Sequence, residues 1–124
     1  MGGDFTDLRV WRAAVELVAA TAALVPSMRG TAARAAADQA LRAAESIPAN
    51  IAEGYGRGLG DDFARFLRIA GASAAELESH LRVAVAAGRL PGERTEPIIA
   101  HTRAVRAMIR GLTLSVSGRR PPQP

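Results

Sequence analysis

Three arginines near the carboxyl end, Arg103, Arg106 and Arg110, are spaced three and four residues apart, so on a helix they share one face. The arginine fork stays charged and matches the oxygens of phosphate or carboxylate. Ile98, Thr102, Val105, Ile109, Leu112 and Val116 recur at helical spacing in the same segment, which sets the arginine stripe opposite the apolar one. No acid follows Glu96, and Arg119 and Arg120 extend the basic run. Such a stripe fits phosphate contacts, although a solvated helix face has the same pattern. It lacks the interleaved aromatics that stack single-stranded bases.

Other chemistries find less support. The two histidines, His80 and His101, fall on different expected helices, and neither has a second ligand set at metal spacing. Glu76 and His80 are four apart and read as a solvated helix pair. No metal or cofactor is expected. Ser46 and Ser73 lie in helical context without a nucleophile elbow, so no catalytic residue and no small-molecule substrate are expected. Gly54, Gly56, Gly58 and Gly60 alternate in a run that matches neither the Walker nor the dinucleotide pattern and follows a helix instead of a strand. That run reads as a loop, either a plain turn or an anion-binding nest beside Arg57.

The elements that must position these residues are helical. The chain has 124 residues, no cysteine, and an Ala-rich apolar fraction of 48% with 4% aromatics. Alanine favours helix and disfavours strand. All 16 basic residues are arginine, a bias that a GC-rich genome also produces. The net charge of +4 is uneven: residues 1–78 carry −2 and residues 79–124 carry +6. No unbroken apolar run is long enough to span a bilayer, and the start does not resemble a signal peptide, so a cytoplasmic, non-membrane protein is expected.

Periodicity divides residues 1–117 into four helices. The first covers 4–25, capped by Thr6, with Leu8, Trp11, Val15, Val18 and Val25 as its apolar stripe. The second covers 31–53, capped by Thr31, with Ala37, Leu41, Ala44, Ile47 or Pro48, and Ile51 inward. Pro48 removes a backbone donor, so a kink near Ser46 is expected, with Ser46 capping a restarted helix. The third covers 61–87, capped by Asp61, with Phe63, Phe66 or Leu67, Ala70, Ala74, Leu77, Leu81 and Ala84 or Val85 inward. Gly88 follows it as the C-terminal glycine. The fourth begins at a Thr95 cap with Pro97 in its first turn. Short connections predict an all-α, antiparallel up-down-up-down four-helix bundle. Residues 118–124 form a basic, Pro-rich tail expected to be disordered.

Ser46-Ile-Pro-Ala-Asn-Ile-Ala-Glu-Gly54, within the longer string from Gln39 to Arg57, resembles the hallmark of a bacterial family. The family is that of the large-subunit ribosomal RNA intervening-sequence proteins, to which the accessory proteins of diversity-generating retroelements are similar. Phe5-Thr-Asp-Leu-Arg-Val-Trp11 resembles the family's start, and Asp62-Phe63, Phe66-Leu67, Ile69-Ala70, Ser73-Ala-Ala-Glu-Leu-Glu78 and Leu81 continue the likeness, which covers roughly residues 5–115. Glu45 stands where the family usually has an aliphatic residue, and Gly71 where it usually has a basic one.

The resemblance implies a four-helix bundle that assembles as a homopentamer, association with nucleic acid through a basic surface, and in retroelement relatives a reverse-transcriptase partner. Within the string, Asn50 is expected to bond backbone groups freed at the kink, and Glu53 to pair with Arg57. Ser46, Pro48, Asn50, Glu53, Gly54 and Arg57 therefore read as structural or inter-subunit residues. Function is expected from Arg103, Arg106 and Arg110, with Arg57, Arg119 and Arg120 as further contacts to RNA or other nucleic acid.

Overall fold

The computed structural model describes residues 3–58 and 60–117. Four helices carry the fold: α1 Arg9–Ala22, α2 Thr31–Gly56, α3 Asp61–Ala86 and α4 Gly92–Val116, with 3-10 turns at Phe5–Asp7 and Val25–Ser27. No strand occurs among the described residues. α1 packs on α2 and α4, α2 on α3, and α3 on α4, around one core. The expected tail at 118–124 lies outside the described residues.

The first helix is shorter than its periodicity predicts. Leu8 is extended and separates α1 from the 3-10 turn before it. Asp4, not Thr6, caps that turn, accepting from the Thr6 amide at 2.9 Å. The inward stripe is also displaced. Val10, Ala14, Leu17, Thr21 and Leu24 are buried, whereas Leu8, Trp11, Val18 and Val25 are only half-buried and Val15 is 38% exposed. The helix has two apolar stripes, and the bulkier one is the outer. Arg9–Ser27 is long and apolar enough by composition alone to cross a membrane, but its inner stripe belongs to the bundle core.

α2 is one unbroken helix through Pro48, so the restart expected at Ser46 does not occur. Ser46 does not cap a helix; its Oγ lies 2.7 Å from Ser73 Oγ on α3, in a hydrogen bond between the helices. The Asn50 amide nitrogen donates to the Ser46 carbonyl at 2.8 Å and to Ser46 Oγ at 3.1 Å. It reaches the carbonyl one turn back, and not that of Ala44, whose usual donor Pro48 lacks. The Gly-rich run is only partly loop: Gly54 and Gly56 belong to α2, and Gly58 and Gly60, at positive φ, follow its end.

Three expected caps become first-turn or interior residues. Gly30 (φ 88°) and Gly60 (φ 119°) precede α2 and α3, leaving Thr31 and Asp61 as first residues of those helices. α4 begins behind Pro91, three residues before Thr95, which is buried and donates its hydroxyl to the Pro91 carbonyl at 2.7 Å. Pro97 accordingly sits in the second turn. The expected end of α3 holds. The Gly88 amide bonds the Val85 carbonyl and the Arg89 amide the Ala84 carbonyl, the reciprocal pair that closes a helix on a left-handed glycine.

α2 and α3 bury many small residues, among them Ala37, Ala40, Ala44, Ala70 and Ala74. Where the two helices meet, Gly54 faces Phe63 and Phe66. A Cβ there would stand 2.6 Å from Phe66 Cβ and 3.1 Å from Phe63 Cδ1. Phe63 and Leu67 take the inward positions and Phe66 is half-buried, while Ala84 lies deeper than Val85. Thr21 and Thr102 point inward but donate to the carbonyls of Leu17 and Ile98 at 2.8 and 2.7 Å. No buried side-chain nitrogen or oxygen among the described residues lacks a partner.

Gly54→Ala tests the close approach. Alanine gains about 1 kcal/mol of helix propensity over glycine, but overpacking costs about 1–3 kcal/mol, and the atom met is a Cβ that no rotamer change can move. Net destabilisation is expected in urea unfolding; a more stable variant would refute the seam geometry. Ser46→Ala should cost about 1–2 kcal/mol, because it leaves the Ser73 hydroxyl without its inter-helix partner, and Ser73→Ala less, because Ser46 Oγ still accepts from Asn50. The double variant should lose less than the two single losses added together, by about 1 kcal/mol, in a double-mutant cycle.

Candidate nucleic-acid interface

Packing of α3 on α4 leaves an open groove of about 580 Å³ along their shared edge. Leu67 and Ile109 form its floor, where the core reaches the surface, and Gly71, Ala72, Ala75 and Ala107 keep its walls low. Four arginines rim it: Arg103, Arg106 and Arg110 from α4, and Arg68 from α3. The stripe thus borders the buried face of α4 on its α3 side, instead of standing opposite it. The positions are set by local periodicity. With Val105 and Ile109 inward, their neighbours Arg103, Arg106 and Arg110 emerge together at the helix edge.

The groove is cationic and its lining contains no carboxylate. Elsewhere, Arg12, Arg57, Arg65 and Arg82 pair with Asp7, Glu53, Asp62 and Glu78. Among the described residues, none of the four groove arginines forms a salt bridge. Glu78 is the acid whose field meets the stripe. The hydrogen bond from Arg82 Nε, at 2.8 Å, is the main reason its carboxyl titrates below the usual range; the charges of Arg103 and Arg106 add to it, and desolvation opposes. A groove with four fixed cations, small walls and no acid can hold a polyanion by its phosphates.

The remaining sequence candidates lie elsewhere. Arg57 does not line the groove. Its Nε bonds Glu53 Oε2 at 3.1 Å, as its spacing predicts, and its guanidinium lies 5.0 Å from the centre of the Phe66 ring, which Arg65 also approaches at 4.5 Å. The nest reading beside Arg57 thereby loses its cation. Arg119 and Arg120 lie outside the described residues. Glu76 and His80 stand 3.5 Å apart, and no group of three metal-ligating side chains occurs among the described residues.

Of the family string, Ser46, Asn50 and Gly54 serve the α2–α3 seam and Glu53 pairs with Arg57. Pro48 faces outward beside Trp11 of α1. Arg68 was not singled out from sequence. Its signal is the succession Arg68, Gly71, Ala72, Ala75, a helical stripe in which one cation precedes only small residues. Gly71 carries no charge, and Arg68, a turn earlier, supplies one at the same groove.

The family model described as 23S rRNA-intervening sequence protein matches residues 6–111, which include all four helices except the last turn or so of α4. No curated protein matches the sequence. The matched segment carries the α2–α3 seam, most of the groove lining and all four of its arginines. It covers most of the chain, and this protein belongs to the 23S rRNA-intervening sequence protein family.

Proposed function

We propose that this protein is a non-enzymatic, self-assembling scaffold that binds structured RNA through the α3–α4 groove. The observation that carries this reading is the set of four arginines, Arg68, Arg103, Arg106 and Arg110, on one groove that no carboxylate lines. The family's name, which refers to an intervening sequence of ribosomal RNA, is consistent with such a ligand. No aromatic lines the groove, so it favours backbone phosphates over unstacked bases. Assembly, pentameric as the resemblance implies, would repeat the groove on each copy and multiply a potential that +4 per chain understates.

The test is binding of nuclease-treated protein to a structured RNA across a salt series. Affinity should fall steeply as salt rises, because phosphate contacts release counterions. Changing Arg103, Arg106 and Arg110 together to Gln should flatten the log–log slope by about 2 to 3. An unchanged slope removes these residues from the interface. Absence of binding at low salt would transfer the groove to an acidic protein surface, such as that of a reverse transcriptase.

Glu78→Gln provides a second check. Removing the carboxylate frees Arg82 and deepens the potential around Arg103 and Arg106, so RNA affinity at low salt should rise about two- to fivefold, the range of an exposed charge pair. The titration carries its own sign. A carboxyl held below its unfolded value stabilises the fold above that value, and the contribution disappears as pH falls through the folded one. The variant's stability should therefore approach that of the parent under acid.

A further inference from the structure

α1 is the most apolar of the four helices, yet only 28% of Arg9–Ser27 is buried in the bundle. Its outer stripe, Trp11, Val15 and Val18, continues across Pro48, Ala49 and Ala52 of α2 in a shallow concavity of about 320 Å³. One charge lines it: Glu45, exposed, with no salt bridge among the described residues. Arg42, three residues earlier on α2, does not reach it within salt-bridge distance.

This combination constrains what can cover the face. Two copies meeting through the same face would bring their Glu45 carboxylates together under apolar cover, which opposes association. The cover therefore needs an apolar side chain beside an unpaired cation. The chain carries such a surface. Val83, 63% exposed, is the most exposed large apolar residue described. It lies in a concavity of about 440 Å³ between α2 and α3 with Arg42, Arg89 and His80, against one acid, Asp38. Neither arginine forms a salt bridge among the described residues. The other exposed apolar residue beside unpaired arginines, Leu114, belongs to the RNA groove.

We propose that the Trp11–Val15–Val18–Pro48 face of one copy docks on the Val83 surface of the next, with Glu45 answered by Arg42 or Arg89. The inference rests on the self-assembly reading above and specifies its contact. A contact between unlike surfaces propagates from copy to copy and closes as a ring when the rotation permits. It leaves the α3–α4 groove open on each copy.

The experiment is the solution mass of the nuclease-treated, RNA-free protein by light scattering, with helicity followed by circular dichroism. The parent is expected at a multiple of 13.0 kDa. Val15→Glu and Val83→Glu change solvent-exposed side chains, so both should keep their helicity and fall to the mass of one chain. Mixed in equal amounts, the two variants should form a two-chain particle, since each retains the half that the other lacks. Loss of assembly in Val15→Glu alone, or no recovery on mixing, overturns the unlike-surface contact. Parent mass retained in Val15→Glu overturns the face itself while self-assembly stands. A parent of single-chain mass overturns self-assembly and this contact together, leaving RNA binding to be judged on its salt slope.

Discussion

The close approach of α2 and α3 is the constraint on which the rest of the bundle depends. It exists because Gly54 offers no Cβ to Phe66, and both helices bury many alanines. Alanine buries little area per residue, so this seam relies on proximity more than bulk, and proximity lets two serine hydroxyls meet across it. Ser46 and Ser73 then tie the helices at one register, with Asn50 holding Ser46 from its own helix, since a displacement of one turn would take the Ser73 hydroxyl from its partner. Polar side chains in this core specify alignment, while Phe63, Leu67, Leu77 and Leu81 supply the larger apolar surface.

Fixing the rotation of α3 against α2 decides what α3 offers to α4. With Leu67, Ala70 and Ala74 turned inward, Arg68, Gly71, Ala72 and Ala75 fall on the edge that α4 borders. α4 contributes threonines where a larger core would have aliphatics, and their hydroxyls return to carbonyls one turn back. Its outer edge is left to arginine. The cationic groove is thus a consequence of the seam: small residues packed on one side of α3 oblige the next helix to sit where its arginines meet Arg68 over low walls.

Charge is distributed to match. Residues 1–78 hold 10 of the 12 acids, and Arg12, Arg57 and Arg65 there are paired with acids locally. The groove arginines have no such partners among the described residues, and the field of Glu78 reaches only two of them. An uncompensated cationic edge is disfavoured by self-repulsion in an isolated chain and favoured when a polyanion is present. The convergence of four arginines on one groove that no carboxylate lines, more than the net charge, distinguishes this edge from an ordinary solvated helix.

Local chemistry made much of this protein legible. Ala content and 3.6-residue periodicity specify four helices; Gly88 ends α3 as expected, and the inward stripes of α3 and α4 follow from spacing alone. Glu53–Arg57 and the Arg103, Arg106, Arg110 stripe are likewise local, since residues three and four apart on a helix must be neighbours. The Ser46-to-Gly54 string identified the family without revealing that Ser46 bonds another helix. What the tertiary structure alone decided is how the helices face each other. α1 bears two apolar stripes, and the bulkier one, with Trp11 and Val15, lies outward because the bundle accommodates Ala14 and Leu17 instead; no pattern within a single helix distinguishes the two. Arg68 joined the groove because a contact between residues forty apart is set by packing, which local periodicity does not encode.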